Sequence, residues 1–307
     1  MVARSMHQAE QQQDPSEHRI RVNGVELAYF EWGAESRGER PSILLVHATG
    51  FHARVWDQVI RHLGPRHIIS VDQRGHGRSE KLTITDWTSM GRDLLELVGE
   101  LDLTSAVGVG HSMGGSGIVE VAAARPETFE RLLLIDPVIF SPDEYHSDGW
   151  NIDLPPGELH PTARRKNKFA SVQAMIDRFE DRLPYSKFVP EALRDYCQYG
   201  LLPCADGDGY ELACSPATEA SVYMTSRSNL EIYDSVRAVE VPVMIMRAKR
   251  PPPDREVMDY SSSPTWPGLA AEFSNGRELF LPDHTHFLPM EVPKLVATYI
   301  HEYAPRT

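Results

Sequence analysis

Gly110-His111-Ser112-Met113-Gly114 is the stretch on which the fold turns. The apolar run Ala106-Val107-Gly108-Val109 leads into it and the small-residue segment Gly114–Ala124 leaves it, so the serine stands between a strand and a helix. The flanking glycines have a steric reason. A turn this sharp holds Ser112 in a strained backbone conformation, and side chains two residues either side would run into the neighbouring chain. The turn also sets Ser112 at a helix N-terminus, where backbone N–H groups and the dipole favour developing negative charge, with the Met113 N–H first in line. The competing reading is a glycine-rich helix start with an exposed serine.

Outward from this turn, short apolar runs alternate with helix-length segments: Ile43–His47, Ile68–Asp72, Ala106–Gly110, Arg131–Asp136, Val241–Arg247 and Glu278–Leu281. That rhythm predicts an α/β fold with a mostly parallel, doubly wound sheet. Helices are expected at Asp86–Glu100, with Leu94, Leu95, Leu97 and Val98 on its apolar side, and at Glu291–Tyr303. Upstream, two β-prone runs flank Asn23-Gly24, a pair that accepts positive φ at both turn positions, which predicts an antiparallel N-terminal hairpin. Residues 1–17 read as a flexible tail. Between about 138 and 238 the rhythm breaks: the segment has helix-like runs at Ala163–Arg182 and Glu191–Gly200, no buried-strand signal, and much Pro, Tyr, Phe and charge. It reads as a helical cap inserted into a core of 18–137 and 239–307.

With 307 residues, the chain can bury roughly 75% of its unfolded surface. Its net charge of −13 repels phosphate backbones and anionic lipid, so nucleic acid and membrane are poor partners. Mean hydropathy is −0.37 and no window approaches the ~20 apolar residues of a spanning helix. The polar N-terminus lacks the apolar core of a secretory signal, and a cytoplasmic protein is expected. Cys197, Cys204 and Cys214 lack Cys-x-x-Cys spacing, and an odd count points to free thiols. Nothing in the sequence bears on oligomeric state.

Four motifs then stand in order: Val46-His47-Ala48-Thr49-Gly50, Asp72-Gln73-Arg74-Gly75-His76-Gly77-Arg78-Ser79, the serine turn, and Thr285-His286-Phe287. In these, residues 19–305 resemble the α/β-hydrolase superfamily, of the kind that carries a cap over a Ser-His-Asp site. The resemblance implies an oxyanion hole formed by the N–H groups of Met113 and Thr49, although Ala48 stands where the family usually has glycine. His47 reads as a structural hydrogen-bonder beneath that loop. A serine nucleophile needs a base near pKa 7, and the chain order serine, acid, histidine leaves His284 and His286. The resemblance favours His286, just before Phe287. A metal reading of the His-x-His pair would need further ligands nearby, and the sequence offers no such cluster.

Two carboxylates compete for the acid. Asp254 follows the Val241–Arg247 strand, the more frequent family position, but behind three prolines, Pro251 to Pro253. Asp136 closes the preceding strand, where some members put the acid. Serine rather than aspartate as nucleophile disfavours dehalogenase and epoxide-hydrolase chemistry. The resemblance implies cofactor-free hydrolysis of a medium-sized, partly apolar ester or lactone. Carbon–carbon bond hydrolysis, peracid formation and a non-catalytic small-molecule receptor are the alternatives. Phe140, Tyr145, Trp150, Phe169, Phe179, Tyr185, Phe188, Tyr196, Tyr199 and Tyr223 are candidates for a substrate lining or for the cap's own core. The basic run Arg164, Arg165, Lys166 and Lys168 is either a solvated helix face or a seat for a substrate carboxylate.

Overall fold

The computed structural model describes residues 14–146, 160–253 and 259–302. Its strands are β1 (Ser16–Val22), β2 (Val25–Trp32), β3 (Ile43–Val46), β4 (Ile68–Asp72), β5 (Ala106–His111), β6 (Phe129–Ile135), β7 (Lys168–Phe169), β8 (Leu201–Pro203), β9 (Tyr210–Leu212), β10 (Val243–Arg247) and β11 (Gly276–Phe280). Eight of them form one sheet in the order β1-β2-β4-β3-β5-β6-β10-β11. From β4 to β11 every pairing is parallel; β1 and β2 are antiparallel to each other, and β2 to β4. This is the expected α/β-hydrolase architecture with its N-terminal hairpin. Asn23 and Gly24 both take positive φ, 45° and 77°, as the hairpin turn requires. The first strand already starts at Ser16, inside the stretch expected to be a tail.

The strands lack polar alternation because both faces of the sheet are covered. Ile43, Leu45, Val107, Val109, Leu133 and Ile135 point to one side, against the helices Asp57–Arg61 and Pro293–Glu302. Leu44, Val46, Leu132 and Leu134 point to the other, against Thr88–Glu100, Met113–Ala124 and Ile232–Ala238. Period-two geometry sends neighbours to opposite faces, so a four-residue run such as Ile-Leu-Leu-Val feeds two cores at once. Burying one such leucine is worth about 1.5–3 kcal/mol.

Between β6 and β10 the chain departs from the expected purely helical insertion. β7, β9 and β8 form a small antiparallel sheet. The run Ala163–Arg182 is not one helix: a turn at Pro161–Arg164 is followed by β7, and a helix over Val172–Phe179 starts only where the Ser171 hydroxyl accepts the Ala174 N–H at 3.1 Å. β7 is taken from helical geometry by its pairing with Tyr210 and Glu211. The helix Ile232–Ala238 packs on the core helix Met113–Ala124. The terminal helix is divided into Leu288–Glu291 and Pro293–Glu302, because Pro293 has no N–H to continue the first. Among the described residues no helix is long and apolar enough to cross a membrane.

Candidate active site

Ser112 follows β5 directly, and its φ of 56° with ψ −121° is the strained conformation expected of the turn. A Cβ at Gly110 would lie 2.5 Å from the Gly114 carbonyl oxygen, and one at Gly114 would lie 2.4 Å from the Val46 carbonyl oxygen. Both clashes are with backbone, which cannot yield. The two glycines therefore let the serine turn nest against β3. Met113 opens the following helix, so its N–H has no intrahelical acceptor. Thr49 lies beside it, with Oγ1 3.6 Å from Met113 Sδ.

Ser112 Oγ is 3.0 Å from His286 Nε2, and His286 Nδ1 is 2.6 Å from Asp136 Oδ2. With the carboxylate accepting from Nδ1–H, Nε2 is left as the acceptor that faces the serine hydroxyl. Asp136 is fully buried, and its Oδ1 accepts the Ala248 N–H at 3.1 Å and the Ser263 hydroxyl at 2.5 Å, while the Thr265 hydroxyl, 3.2 Å from Oδ1, shares its proton with the Pro137 carbonyl at 2.7 Å. Such a set of donors keeps a buried carboxylate supplied with partners and fixes which oxygen turns toward the imidazole. Asp136 sits at φ 45°, a left-handed conformation that aspartate tolerates better than most residues. Asp136, one of the two carboxylates expected to compete, is brought to His286. Asp254 lies outside the described residues.

His286 is held from both sides. Glu291 Oε2 accepts the Thr285 N–H and hydroxyl at 2.8 and 2.7 Å, while Oε1 is 3.0 Å from His284 Nδ1. His284 is thus tied to the next helix, and among the described residues no group of three or more His, Cys, Asp or Glu could hold a metal. His111 Nε2 is 2.9 Å from the His286 carbonyl oxygen and must be the donor, since the carbonyl only accepts. Burial first, then the neighbouring His286, holds the His111 imidazole well below its ordinary pKa, so it is neutral. The motif named this position but not its role; nor did sequence spacing single out Ser263, Thr265 or Glu291.

Beneath the Thr49 loop, His47 Nδ1–H meets the Ala48 carbonyl at 2.7 Å and its Nε2 accepts the Gln73 N–H at 3.0 Å. Burial, and then His76, pushes its pKa well down. Asp72 ties the same region together, accepting the Ala53 and Arg78 N–H groups at 2.6 and 2.7 Å. The three cysteines are free and buried, and burial pushes the Cys197 thiol up to about 12, far from a reactive thiolate.

Facing the Thr49–Phe51 loop is a cavity of about 190 Å³, lined otherwise by residues of the segment between β6 and β10 together with Tyr260 and Phe287. Of the candidate aromatics, Phe179, Tyr185, Tyr196 and Tyr223 line it. Phe140 and Tyr145 pack under the opposite face of the sheet, Phe169 and Phe188 lie in the hydrophobic cluster, and Tyr199 stacks on Arg54 at 4.0 Å. Trp150 lies outside the described residues. The basic run is no helix face: Arg164, Lys166 and Lys168 are exposed, whereas Arg165 is half-buried against Glu219.

Residues 43–298 match the model of a family described as alpha/beta hydrolases. The chain is 35% identical over 131 residues to the dihydrolipoyllysine-residue acetyltransferase component of an acetoin cleaving system from Pseudomonas putida, covering 41% of this chain and 34% of that one. It is 26% identical over 176 residues to an sn-1-specific diacylglycerol lipase of Xenopus laevis, covering 56% and 49%. These matches thus span a third to a half of the relatives' own lengths. The solved E-2-(acetamidomethylene)succinate hydrolase superposes with a TM-score of 0.72 at 23% identity, covering 93% of this chain and 97% of that one, a likeness of fold.

Proposed function

The chain belongs to the alpha/beta hydrolase family, and from that premise we propose that it is a serine hydrolase cleaving a carboxylic ester or lactone of a small, partly apolar molecule. The observation that carries this reading is the unbroken run of contacts from Ser112 Oγ through His286 to the buried Asp136 carboxylate. A serine hydroxyl is a poor nucleophile until a base takes its proton, and His286 Nε2 is placed to do so. In the proposed sequence Oγ attacks the acyl carbon as its proton passes to Nε2. The tetrahedral oxyanion is met by the Met113 and Thr49 N–H groups. Collapse expels the alcohol oxygen, protonated by the imidazolium, which Asp136 stabilises and orients. Water, deprotonated by the same imidazole, then resolves the acyl-serine. The residues between β6 and β10 act as a cap that excludes bulk water from this chemistry.

The test is incubation with a fluorophosphonate and mapping of the adduct by mass spectrometry, followed by a panel of aryl esters, alkyl esters and lactones. Labelling at Ser112 together with ester or lactone turnover supports the proposal. Labelling without turnover of any substrate favours a receptor, turnover of a vinylogous diketone alone favours carbon–carbon cleavage, and a folded protein that takes no label at Ser112 removes the nucleophile.

A further inference from the structure

The cavity beside the Thr49 loop is lined by three cationic side chains, Arg165, Lys166 and Arg178, and one carboxylate, Glu219. In a chain of net charge −13 a cationic hollow runs against the overall field. Charge of one sign concentrated in a cleft with apolar walls focuses potential and draws in ligands of the opposite sign. Arg165 is the anchored member. Its Nη1 meets Glu219 Oε2 at 2.5 Å and its Nη2 meets the Tyr196 hydroxyl at 3.2 Å, two uses of a guanidinium that has five N–H donors. Glu219 in turn lies hard against Gly50, where a Cβ would come within 2.8 Å of Oε1. The guanidinium is thereby fixed relative to the loop that carries Thr49, at no entropic cost when a ligand arrives. Glu219 neutralises one positive charge, and Lys166 and Arg178 remain in excess.

Size narrows the ligand further. An apolar cavity of about 150 Å³ accepts benzene; about 190 Å³ accepts a ring and a few more atoms. Aromatic rings make up much of the wall: Tyr223 and Tyr260 stack on each other with centroids 4.8 Å apart, and Phe51, Phe179, Tyr185 and Phe287 line the cavity beside them. Tyrosine hydroxyls supply neutral donors beside the guanidinium. We infer that the site selects ring-sized esters or lactones bearing a free carboxylate, which Arg165 receives with Lys166 and Arg178 beside it. This substrate class rests on the serine-hydrolase reading above, but its binding half does not.

The experiment titrates the full wild-type chain with phenylacetate and with its neutral isostere phenylacetamide by calorimetry, at low and at high ionic strength. Because neither probe is an ester, the outcome does not depend on turnover. The carboxylate is expected to bind at least tenfold more tightly than the amide, as a charge-assisted hydrogen bond implies, with the gap narrowing in salt. Arg178→Gln should shrink the gap severalfold. Arg165→Gln alone would strand Glu219, so the paired variant Arg165→Gln with Glu219→Gln, checked by circular dichroism, is expected to abolish it. Equal binding of the two probes, failure of the carboxylate to bind, or a preference unchanged in both variants would overturn the inference. Carboxylate preference in a protein whose Ser112 takes no fluorophosphonate would instead sink only the catalytic reading, and labelling without that preference only this one.

Discussion

Replacing Asp136 with asparagine changes one atom and tests the site's polarity. Two donors, the Ala248 N–H and the Ser263 hydroxyl, converge on Oδ1, with the Thr265 hydroxyl shared between that oxygen and the Pro137 carbonyl. The amide oxygen of the asparagine must take that side, because turning the NH₂ group there would set donor against donor at a fully buried position. The NH₂ group is then left 2.6 Å from His286 Nδ1, which is obliged to accept. A neutral imidazole that accepts at Nδ1 carries its proton on Nε2, and Nε2 faces Ser112 Oγ at 3.0 Å. The base is thus supplied already protonated. Loss of the correct tautomer in this way costs about ten-thousand-fold in kcat, or roughly 5 kcal/mol of transition-state stabilisation. The assay is kcat/KM on an activated aryl ester, with the rate of fluorophosphonate labelling as a second readout and Asp254→Asn as the comparison. Asp136→Asn should lose about three to four powers of ten while Asp254→Asn stays within a few-fold of wild type. A mild effect at Asp136 beside a severe one at Asp254 would transfer the acid's role and leave Asp136 as a turn residue.

Gly114→Ala should destabilise the protein by about 1–3 kcal/mol or more and abolish labelling, because the new methyl meets backbone oxygen at 2.4 Å; a urea midpoint equal to wild type would contradict this. His111→Phe keeps the ring but leaves the His286 carbonyl without its donor, so kcat should fall with KM little changed and stability should drop by roughly 1–3 kcal/mol, checked by steady-state kinetics and denaturation together. Glu120 is partly buried beside Gly91; burial raises its pKa to about 8, with Asp86 adding to the rise, and Asn229 and Arg92 opposing it. The folded chain therefore keeps a proton that the unfolded chain has lost between about pH 4.5 and 8, so this group's contribution makes stability fall as pH rises through that window. Glu120→Gln should match wild type below pH ~4.5 and exceed it increasingly up to pH ~8, by at most a few kcal/mol. Denaturation midpoints across that range that run parallel for the two proteins would rule the effect out.

The serine turn, the hairpin and the parallel sheet were legible because each obeys a short-range rule. Gly110 and Gly114 betray a backbone approach, Asn23-Gly24 a positive-φ turn, and unbroken runs such as Ile43–Val46 a strand covered on both faces. The segment between β6 and β10 was read less well. Lys168 and Phe169 carry no strand signal of their own and are extended because Tyr210 and Glu211 lie alongside. The candidate site shows the same divide. The serine turn singled out Ser112, chain order left His284 and His286 with the family resemblance favouring His286, and the same ordering admitted Asp136 beside Asp254, which the more frequent family position favoured. Asp136 meets His286 across 150 residues of chain because β10 alone separates β6, which leads into Asp136, from β11, which leads to His286, and because Ala248, Ser263 and Thr265 gather around one oxygen. Local sequence specifies dihedral angles and periodicity over a few residues; which side chains converge from distant segments depends on how the sheet orders its strands and how the connecting loops close, and no spacing in the chain encodes that distance.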